Sequence, residues 1–448
     1  YNKMSLTTSN LTSGFIDLAT FDEIERYLYG TLEATAYFVR ETRKSTWFTQ
    51  VPVILSNSSG TPQFNSDFSV SVSRAGDYLL HTWLRVAFPA IVLNSAYNNG
   101  GIVKNGLTVR WCANLMHNLI KECNITFNDL VAARFDNFHL DFWAAFTVPA
   151  SKQVGYNNMI GNITTLTNPS NSLAATADLP AATLNLPLPF FYTRDSGVAL
   201  PTAALPYNEM RINFSFRDWT ELLIVENPAG AVGSDRRFAA INYGSNAATN
   251  HLVSAPVLGQ VQVWANYAIV SNDERKRMAC APRDILIEQV QTAPRQTFSP
   301  GTNPTPSYDI RFSHAIKALF FAARNKTLTA EGSNYTTASP QASGIGTFVD
   351  NSVKGLDPVL QTSLVYENTA RLSQMGSDYF SLVNPWYHAP SIPEKTGYHC
   401  YSYSLDFYNL DPMGSTNYGK LTNVSIRPEA STGAVNSTAW SGANIGLN

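Results

Sequence analysis

The sequence has few charged residues: they make up 14% of its 448 residues and give a net charge of −2. An average soluble protein carries about 25%, so much of the surface must consist of neutral polar side chains. Such a surface repels neighbouring molecules weakly and can be buried with few charges to desolvate. The composition therefore suits a protein that works inside a packed assembly.

Clustered basic residues and long apolar runs are also missing. No basic run is longer than Arg275, Lys276 and Arg277, and binding to nucleic-acid phosphates needs larger clusters. No stretch of about 18 apolar residues occurs, and the first ten residues lack the apolar region of a signal peptide. The sequence therefore predicts no direct contact with nucleic acid, no membrane-spanning helix and no secretion signal.

Cysteine is sparse, and the four cysteines form no C-x-x-C pair. Neither a disulfide framework nor an all-cysteine zinc site is indicated, and a reducing compartment is the simpler interpretation. The best metal candidates are Cys112, His117 and Cys123, which lie within twelve residues. Their spacing differs from that of zinc fingers and no fourth ligand is evident. A buried segment with two free thiols is the alternative, and no metal or cofactor is predicted.

One stretch, GSTNYGKL at residues 414–421, comes close to a phosphate-binding loop. The full motif requires Ser or Thr after the lysine and a helix after the loop. Here Leu421 follows Lys420, and the next residues, TNVSIRPEA, favour a strand. The stretch is therefore predicted to be a glycine-containing loop between two strands rather than a nucleotide site.

Signals for catalysis are weak as well. His139 and Asp141 are an acid and a base two residues apart on a predicted helix, so they point to different faces. A sandwich glycosidase needs two carboxylates in an aromatic cleft, and Asp141, Asp378 and Asp406 have aromatic neighbours. With 53 aromatic residues in the chain, such neighbours are expected by chance. No catalytic residues are predicted; a soluble β-sandwich that binds or hydrolyses carbohydrate is kept as the alternative function.

Alternation of apolar and polar residues dominates the chain and predicts an all-β fold of sandwich or barrel type. In residues 211–217, Ile212, Phe214 and Phe216 share one face. The same pattern places two further sets inward: Val261, Val263, Ala265, Tyr267 and Ile269, and Tyr401, Tyr403, Leu405 and Phe407.

Three short helices are predicted among the strands. The first covers residues 21–29, with a capping box of Thr20 and Glu23 and with Gly30 at its end; its apolar face consists of Phe21, Ile24, Tyr27 and Leu28. The second covers residues 135–146 and carries five aromatic residues at helical spacing. The third follows a capping box of Ser271 and Glu274 and stops before Pro282. This charged helix is predicted to separate two β-rich halves.

Residues 186–209, LPLPFFYTRDSGVALPTAALPYNE, resemble the signature of the major capsid proteins of nucleocytoplasmic large DNA viruses. Residues 12–30, 36–53, 71–86 and 116–146 are similar to the iridovirus branch of that family, and LDPMGSTNYGKLTN is similar to a late D-P-x-G-S-x-N loop. The resemblance extends from Thr12 to about Ser425.

The resemblance implies a double jelly roll of two eight-stranded Greek-key sandwiches and no enzymatic activity. It implies a homotrimer of nearly hexagonal outline that tiles an icosahedral outer capsid around an internal membrane. The implied partners are neighbouring capsomers, minor capsid and penton proteins and that membrane, with no direct nucleic acid; assembly is expected in the host cytoplasm. Residues 301–306 and 327–346 are candidates for outward loops.

The implied domains are an N-terminal segment (1–30), a first jelly roll (31–270), a helical connector (271–283) and a second jelly roll (284–448). In the family the N-terminal segment faces the particle interior, so we expect Phe15, Phe21, Ile24, Tyr27 and Leu28 to dock beneath the capsomer; covering of its own sheet is the alternative. Residues 429–448 are small, polar and rich in glycine, so the second jelly roll is expected to lack its last strands or to have a divergent tail.

Overall fold

The computed structural model describes residues 3–99, 102–103, 107–167, 178–205, 207–226, 241–325, 331–337 and 356–436. The chain divides into two units, Tyr1–Trp47 and Phe48–Asn448. None of the helices in these ranges is both long and apolar enough to cross a membrane.

The N-terminal unit contains two helices, α1 (Lys3–Ala19) and α2 (Glu23–Leu28). The predicted helix at residues 21–29 is confirmed as α2, but its predicted capping box is wrong. Asp22 is the N-cap, and its backbone N–H donates to the Glu25 carboxylate at 2.6 Å. The Thr20 hydroxyl instead donates to the carbonyl of Asp17 at 2.9 Å, at the end of α1. A carboxylate next to the free N–H groups of a helix is the better acceptor, which explains the shift by two residues.

The second unit consists mainly of antiparallel strands. In chain order the strands are β1 (Phe48–Ser59), β2 (Asp67–Ser71), β3 (Tyr78–Phe88), β4 (Asn98–Asn99), β5 (Ile102–Val103), β6 (Thr108–Trp111), β7 (Ile120–Phe127), β8 (Leu130–Phe135), β9 (Ala182–Pro187), β10 (Met210–Phe216), β11 (Leu223–Glu226), β12 (Val261–Val270), β13 (Tyr308–Asp309), β14 (Ala315–Ile316), β15 (Ala318–Phe321), β16 (Val359–Tyr366), β17 (Thr369–Gly376), β18 (His399–Ser402), β19 (Thr416–Asn417) and β20 (Val424–Ala430). The helices are α3 (Leu115–Leu119), α4 (Asn137–Thr147), α5 (Ala150–Ile160), α6 (Thr164–Thr167), α7 (Asn272–Cys280), α8 (Asn384–His388) and α9 (Thr432–Asn436).

The N-terminal half of this unit is built on one sheet with the order β8-β7-β10-β2-β1-β12-β3-β9. β1 belongs to both parts of the sheet, because residues 48–55 pair with β12 and residues 56–59 pair with β2. Phe135 of β8 and Leu184 of β9 come from its two edges, yet both belong to the same buried cluster. The sheet therefore folds over on itself and encloses a sandwich core.

Alternation predicts the inward faces well where a strand is regular. Ile212, Phe214 and Phe216 of β10 are all buried, as predicted. In β12 the prediction fails at Ile269, which is exposed, while Ala268 and Val270 are buried. The pairing of β12 with β3 shifts register between Asn266 and Tyr267, and such an irregularity reverses the face of the residues beyond it.

The C-terminal half contains a sheet of order β13-β20-β16-β17 and the pairs β14-β19 and β15-β18. Tyr401 and Phe407 are buried as predicted, but Leu405 is 72% exposed. β18 ends at Ser402, and the Ser402 hydroxyl donates to the carbonyl of Ser404 at 2.8 Å. This local bond turns the chain, so the alternation predicted for a longer strand is wrong beyond that point.

The other two predicted helices are present, the first with a shifted start and the second without the predicted cap. α4 begins at Asn137, because Phe135 still belongs to β8 and the Asp136 carboxylate accepts from the His139 N–H at 2.9 Å. α7 begins at Asn272, but Ser271 makes no side-chain cap bond, so the capping box predicted there is wrong. Arg275 of α7 instead forms a salt bridge with the buried Asp77 at 2.8 Å, which ties the helix to the N-terminal half.

Candidate functional site

The loop at residues 414–421 is not a phosphate site. Residues Thr416–Asn417 form β19, residues Tyr418–Lys420 form a single 3₁₀ turn, and the chain then enters β20. The N–H of Gly419 donates to the Asn417 side chain at 2.9 Å, and that of Leu421 donates to the carbonyl of Tyr418. Two of the N–H groups that a phosphate could use are therefore already bonded within the loop, a strand rather than a helix follows it, and the predicted loop between strands is confirmed.

The metal candidates also serve the interior of the fold. Cys112 and Cys123 are buried free thiols, and burial raises the pKa of Cys112 to about 12. Both ring nitrogens of His117 are occupied: Nδ1 lies 2.8 Å from Asp141 Oδ1 and Nε2 lies 2.7 Å from the Tyr156 hydroxyl. Across the described ranges no group of three or more His, Cys, Asp or Glu side chains is arranged to hold a metal ion.

Asp141 on α4 is the centre of a buried hydrogen-bond network. Its Oδ1 accepts from His117 and from the Asn114 amide at 3.1 Å. Its Oδ2 accepts from the hydroxyls of Ser333 and Tyr335, both at 2.8 Å. Burial and the negative charge of Asp141 raise the pKa of the Tyr335 hydroxyl well above its usual range, so this hydroxyl stays protonated and donates. One carboxylate thus joins α3 and α4 to residues 331–337, which lie nearly 200 positions later in the chain.

The structure places the residues that the sequence analysis considered for catalysis, and found unconvincing, in structural surroundings. His139 is stacked on Trp143 with ring centroids 5.7 Å apart, and burial, aided by the charge of Arg194, lowers its pKa to about 3. Asp406 accepts from the N–H of Tyr408 in a local turn at 2.9 Å, and Asp378 precedes a single helical turn, residues Tyr379–Val383. Asp406 therefore has a local structural role and Asp141 a role in the network, whereas the Asp378 side chain makes no cap bond to the turn that follows it.

Five of the seven residues 331–337 are buried and the other two are half-buried, so the prediction of an outward loop is wrong for this part of residues 327–346. The remainder of that range lies outside the described residues. Arg110 on β6 forms a salt bridge with Glu331, with both side chains less than 10% exposed. The Asn118 amide donates to Ser333 at 2.8 Å and accepts from Asn137 at 3.1 Å. The buried ion pair joins β6 to residue 331, and the bonds of Asn118 join α3 to Ser333 and to the start of α4.

Arg194, the arginine of the signature, lies where three chain segments meet. Its guanidinium stacks over the ring of Trp143 at 3.9 Å and donates to the carbonyl of Tyr408 at 3.0 Å. It also forms a salt bridge with the Glu288 carboxylate at 3.1 Å. Burial lowers the pKa of Arg194, and the Glu288 carboxylate opposes that shift. Only a planar cation satisfies the stacking and the two polar contacts together.

The rest of the signature anchors the same corner of the sandwich. Phe190, Phe191 and Tyr192 follow β9 and are buried, and the Tyr192 hydroxyl lies 2.9 Å from that of Thr82 on β3. Leu200 forms a β-bridge with Leu79, with backbone bonds in both directions. These residues of the signature therefore hold chain segments in position.

The residues predicted to dock beneath the capsomer lie in the N-terminal unit. Ile24, Tyr27 and Leu28 share one face of α2, and Phe21 precedes its N-cap. Phe15 lies on α1, so a break at residues 20–22 separates it from the other four. All five side chains are more than half exposed.

Comparison with known proteins accounts for nearly the whole chain. Residues 36–270 match the family profile "Major capsid protein N-terminus", and residues 274–446 match "Large eukaryotic DNA virus major capsid protein". The major capsid protein of Wiseana iridescent virus is 63% identical over 98% of this chain and 88% of its own length. That of Lymphocystis disease virus 1 (isolate Darai) is 52% identical over 98% of this chain and 92% of its own length.

Solved structures agree on the fold. The structure titled "PBCV-1 virus capsid, quasi-atomic model" matches 92% of this chain and 94% of its own with a TM-score of 0.68 at 18% identity. The Faustovirus major capsid protein matches 92% of this chain and 91% of its own with a TM-score of 0.63 at 11% identity. The predicted double jelly roll is thereby confirmed. The chain belongs to the family of large eukaryotic DNA virus major capsid proteins, in its iridovirus branch, and is a structural protein of the virion capsid rather than an enzyme.

Proposed function

We propose that three copies of this chain form a capsomer of nearly hexagonal outline, and that these capsomers tile an icosahedral outer shell around an internal membrane. Membership of the capsid family supports this proposal. The low charge of the chain supports it as well, because capsomers that pack edge to edge bury polar surface, and unpaired buried charges are costly.

The observation that carries the proposal is an exposed aromatic patch in the C-terminal half. Trp386 and Tyr387 of α8 are 70% and 73% exposed, and Leu382 beside them is 51% exposed. Tryptophan and tyrosine are enriched in the buried centres of protein interfaces and are costly to leave in water. A patch of this kind fits a contact between copies of the chain.

A homotrimer predicts a defined mass in solution. Three copies of 49.2 kDa give about 148 kDa. Light scattering of the purified protein is expected to show one species of this mass that persists on dilution, because permanent interfaces are large. A stable monomer of 49.2 kDa would contradict the trimer.

The N-terminal unit supplies the second part of the proposal. Phe15, Phe21, Ile24, Tyr27 and Leu28 form the apolar surface by which the capsomer docks on the interior side of the shell, onto minor capsid proteins or the internal membrane. An amphipathic helix with exposed aromatic and aliphatic side chains has the chemistry for either partner.

Deleting residues 1–30 is expected to leave trimers intact and to abolish shell assembly. The reason is that the trimer contact and the docking surface are assigned to different units of the chain. The measurement is the mass of the purified variant together with the yield of sedimenting shells when the other capsid proteins of the virus are co-expressed.

Point variants of α2 provide a matched control. Ile24→Ser combined with Leu28→Ser removes the apolar face, whereas Glu23→Ser combined with Arg26→Ser removes an exposed ion pair and leaves the net charge unchanged. Only the first pair of substitutions is expected to reduce the shell yield. Normal shells from the deletion variant would disprove docking by this segment.

The remaining assignments complete the proposal. Partners are neighbouring capsomers and the minor capsid and penton proteins, without direct contact to nucleic acid, and assembly takes place in the host cytoplasm. The proposed domains are 1–30, 31–270, 271–283 and 284–448. Residues 437–448 of the last domain lie outside the described part of the chain.

A further inference from the structure

The two sandwiches of the second unit repeat one strand topology. Part of the first sheet has the order β8-β7-β10-β2, and the sheet of the second sandwich has the order β17-β16-β20-β13. Counted along the chain within each set of four, both orders read third, second, fourth, first. The antiparallel pair β3-β9 corresponds in the same way to the pair β15-β18, because each pair has one strand after the first strand of its set and one before the fourth. A surface on one sandwich therefore has a counterpart on the other.

The helix after the third strand of the first sandwich packs on the second sandwich. This helix is α4, and the ring centroids of Phe142 and Phe146 lie 5.9 Å and 5.6 Å from that of Phe320 on β15. Phe320 pairs with the buried Cys400 of β18. Leu319, the neighbour of Phe320 in the chain, instead packs in the core of the second sandwich. The helix α4 therefore covers the outward face of the pair β15-β18 within one chain.

The corresponding helix of the second sandwich is exposed. It follows β17, runs through the turn Tyr379–Val383 and ends in α8. Its aromatic patch, which consists of Leu382, Trp386 and Tyr387, is more than half exposed, whereas the phenylalanines of α4 that contact β15 are buried. The patch is thus open to solvent at the position where the counterpart helix is covered.

The counterpart of the outward face of β15-β18 is partly open as well. On β3 and β9 this face carries the directly paired residues Trp83 and Pro187, and the row continues over Trp264 of β12 to Ile54 of β1. The rings of Trp83 and Trp264 are stacked with centroids 6.0 Å apart, while Pro187 is exposed and Ile54 is 46% exposed. Leu84, the next residue of β3, is buried in the core. The row of paired residues, which we name the outer row, is therefore an apolar strip on the outside of the first sandwich.

The charges beside the two open surfaces are complementary. Arg85 lies two positions after Trp83 on the same face of β3, and Asp378 is exposed at the start of the helical stretch that carries the aromatic patch. A cation also accompanies the covered helix, since the Arg194 guanidinium stacks over Trp143 of α4 at 3.9 Å. Arg85 offers the same chemistry beside the outer row, as a cation for an aromatic ring or for a carboxylate.

We propose that the aromatic patch of one copy of the chain packs on the outer row of a second copy, as α4 packs on β15-β18 within the chain. This inference rests on the proposed homotrimer and names its contact. The two surfaces differ, so the contact is heterologous and closes into a ring. Contacts within and between chains then alternate, and three copies with two sandwiches each place six similar contacts around the ring. This arrangement accounts for a nearly hexagonal outline with threefold symmetry.

Cross-linking of introduced cysteines tests which surfaces meet. The background is Cys280→Ser, because the other three cysteines are buried. In this background Tyr387→Cys combined with Pro187→Cys is expected to give covalent trimers with a short bismaleimide, and co-expression of the two single variants is expected to give covalent dimers. Tyr387→Cys combined with Tyr207→Cys is the matched control. Tyr207 is 94% exposed and precedes β10, which contributes nothing to the outer row, so this pair is expected to stay uncross-linked.

Loss of the aromatic patch is expected to weaken the trimer. Trp386→Asp places a charge in the contact, and truncation of a tryptophan at the centre of an interface typically weakens association at least about 30-fold. Light scattering over a dilution series measures this shift toward the monomer. Tyr207→Asp adds the same charge at an exposed aromatic residue outside the contact and is expected to keep the mass of the unchanged chain. Circular dichroism reports in each variant that the fold is intact.

Three results would overturn the proposal. A trimer that forms no cross-link between positions 387 and 187, or that keeps its mass after Trp386→Asp, would refute this contact and leave the homotrimer standing. Cross-links from Tyr387→Cys alone would mean that two aromatic patches meet each other. A monomeric unchanged chain would refute the homotrimer and, with it, the contact.

Discussion

Replacing Asp141 by asparagine is expected to lower the free energy of unfolding by about 3 kcal/mol, one of the two largest effects we predict. The asparagine side chain keeps the shape of the aspartate but has one oxygen instead of two. The donors that now share the carboxylate are His117, Asn114, Ser333 and Tyr335. At least one buried donor loses its acceptor, and the remaining bonds lose their charge assistance.

The measurement is urea denaturation followed by tryptophan fluorescence at one protein concentration, so that association does not alter the comparison. Asp406→Asn is the matched control, because Asp406 accepts one bond in a partly exposed turn and its replacement is expected to cost less than about 0.5 kcal/mol. Similar losses for both variants would mean that the network around Asp141 adds no cooperative stability.

A second measurement tests whether the network around Asp141 holds residues 331–337 in place. Asp141 holds residues 331–337 against α3 and α4, so loss of its charge should release that segment first. Limited proteolysis under native conditions is expected to cut the Asp141→Asn protein within or beside residues 331–337, and to leave the Asp406→Asn protein intact there. Cutting elsewhere would contradict this role for Asp141.

The features that the sequence predicts well are those encoded by neighbouring residues. The inward face of β10 follows from alternation, and α4 follows from aromatic residues at helical spacing. The errors occur where a competing local contact decides: Asp22 replaces Thr20 as the cap of α2, and a serine turn ends β18 before Leu405. In both cases a local side-chain hydrogen bond competes with the predicted structure, and only the folded geometry decides which of the two forms.

The contacts that organise the site join residues far apart in the chain and have no local signature. Arg110 and Glu331, which form a salt bridge, are 221 positions apart in the chain. Asp141 and Tyr335, which form a hydrogen bond, are 194 positions apart. Sequence spacing drew attention to His117 for metal binding and to Asp141 for catalysis, whereas the structure joins the two within one buried network. The aromatic neighbours of Asp141 are visible in the sequence, but with 53 aromatic residues in the chain they do not distinguish it from Asp378 or Asp406.

Arg194→Ala is expected to lower the free energy of unfolding by about 3 kcal/mol, the other large effect. The substitution removes the stacking over Trp143 and the bond to the carbonyl of Tyr408, and it leaves the Glu288 carboxylate without its cation. The side chain of Arg194 is only 8% exposed, so water cannot replace these contacts without opening the corner where they meet.

Arg194→Lys separates charge from shape and so decides what the signature arginine contributes. Lysine keeps the ion pair with Glu288 but has no plane to stack on Trp143 and no fixed fork toward Tyr408. We expect lysine at this position to recover less than half of the loss, which amounts to a remaining cost of about 2 kcal/mol by urea denaturation. Full recovery would mean that charge alone matters at this corner. Partial recovery would show that the planar guanidinium holds the segment after β9, residues 284–296 and the turn after β18 together. It would also explain why this position of the signature is an arginine.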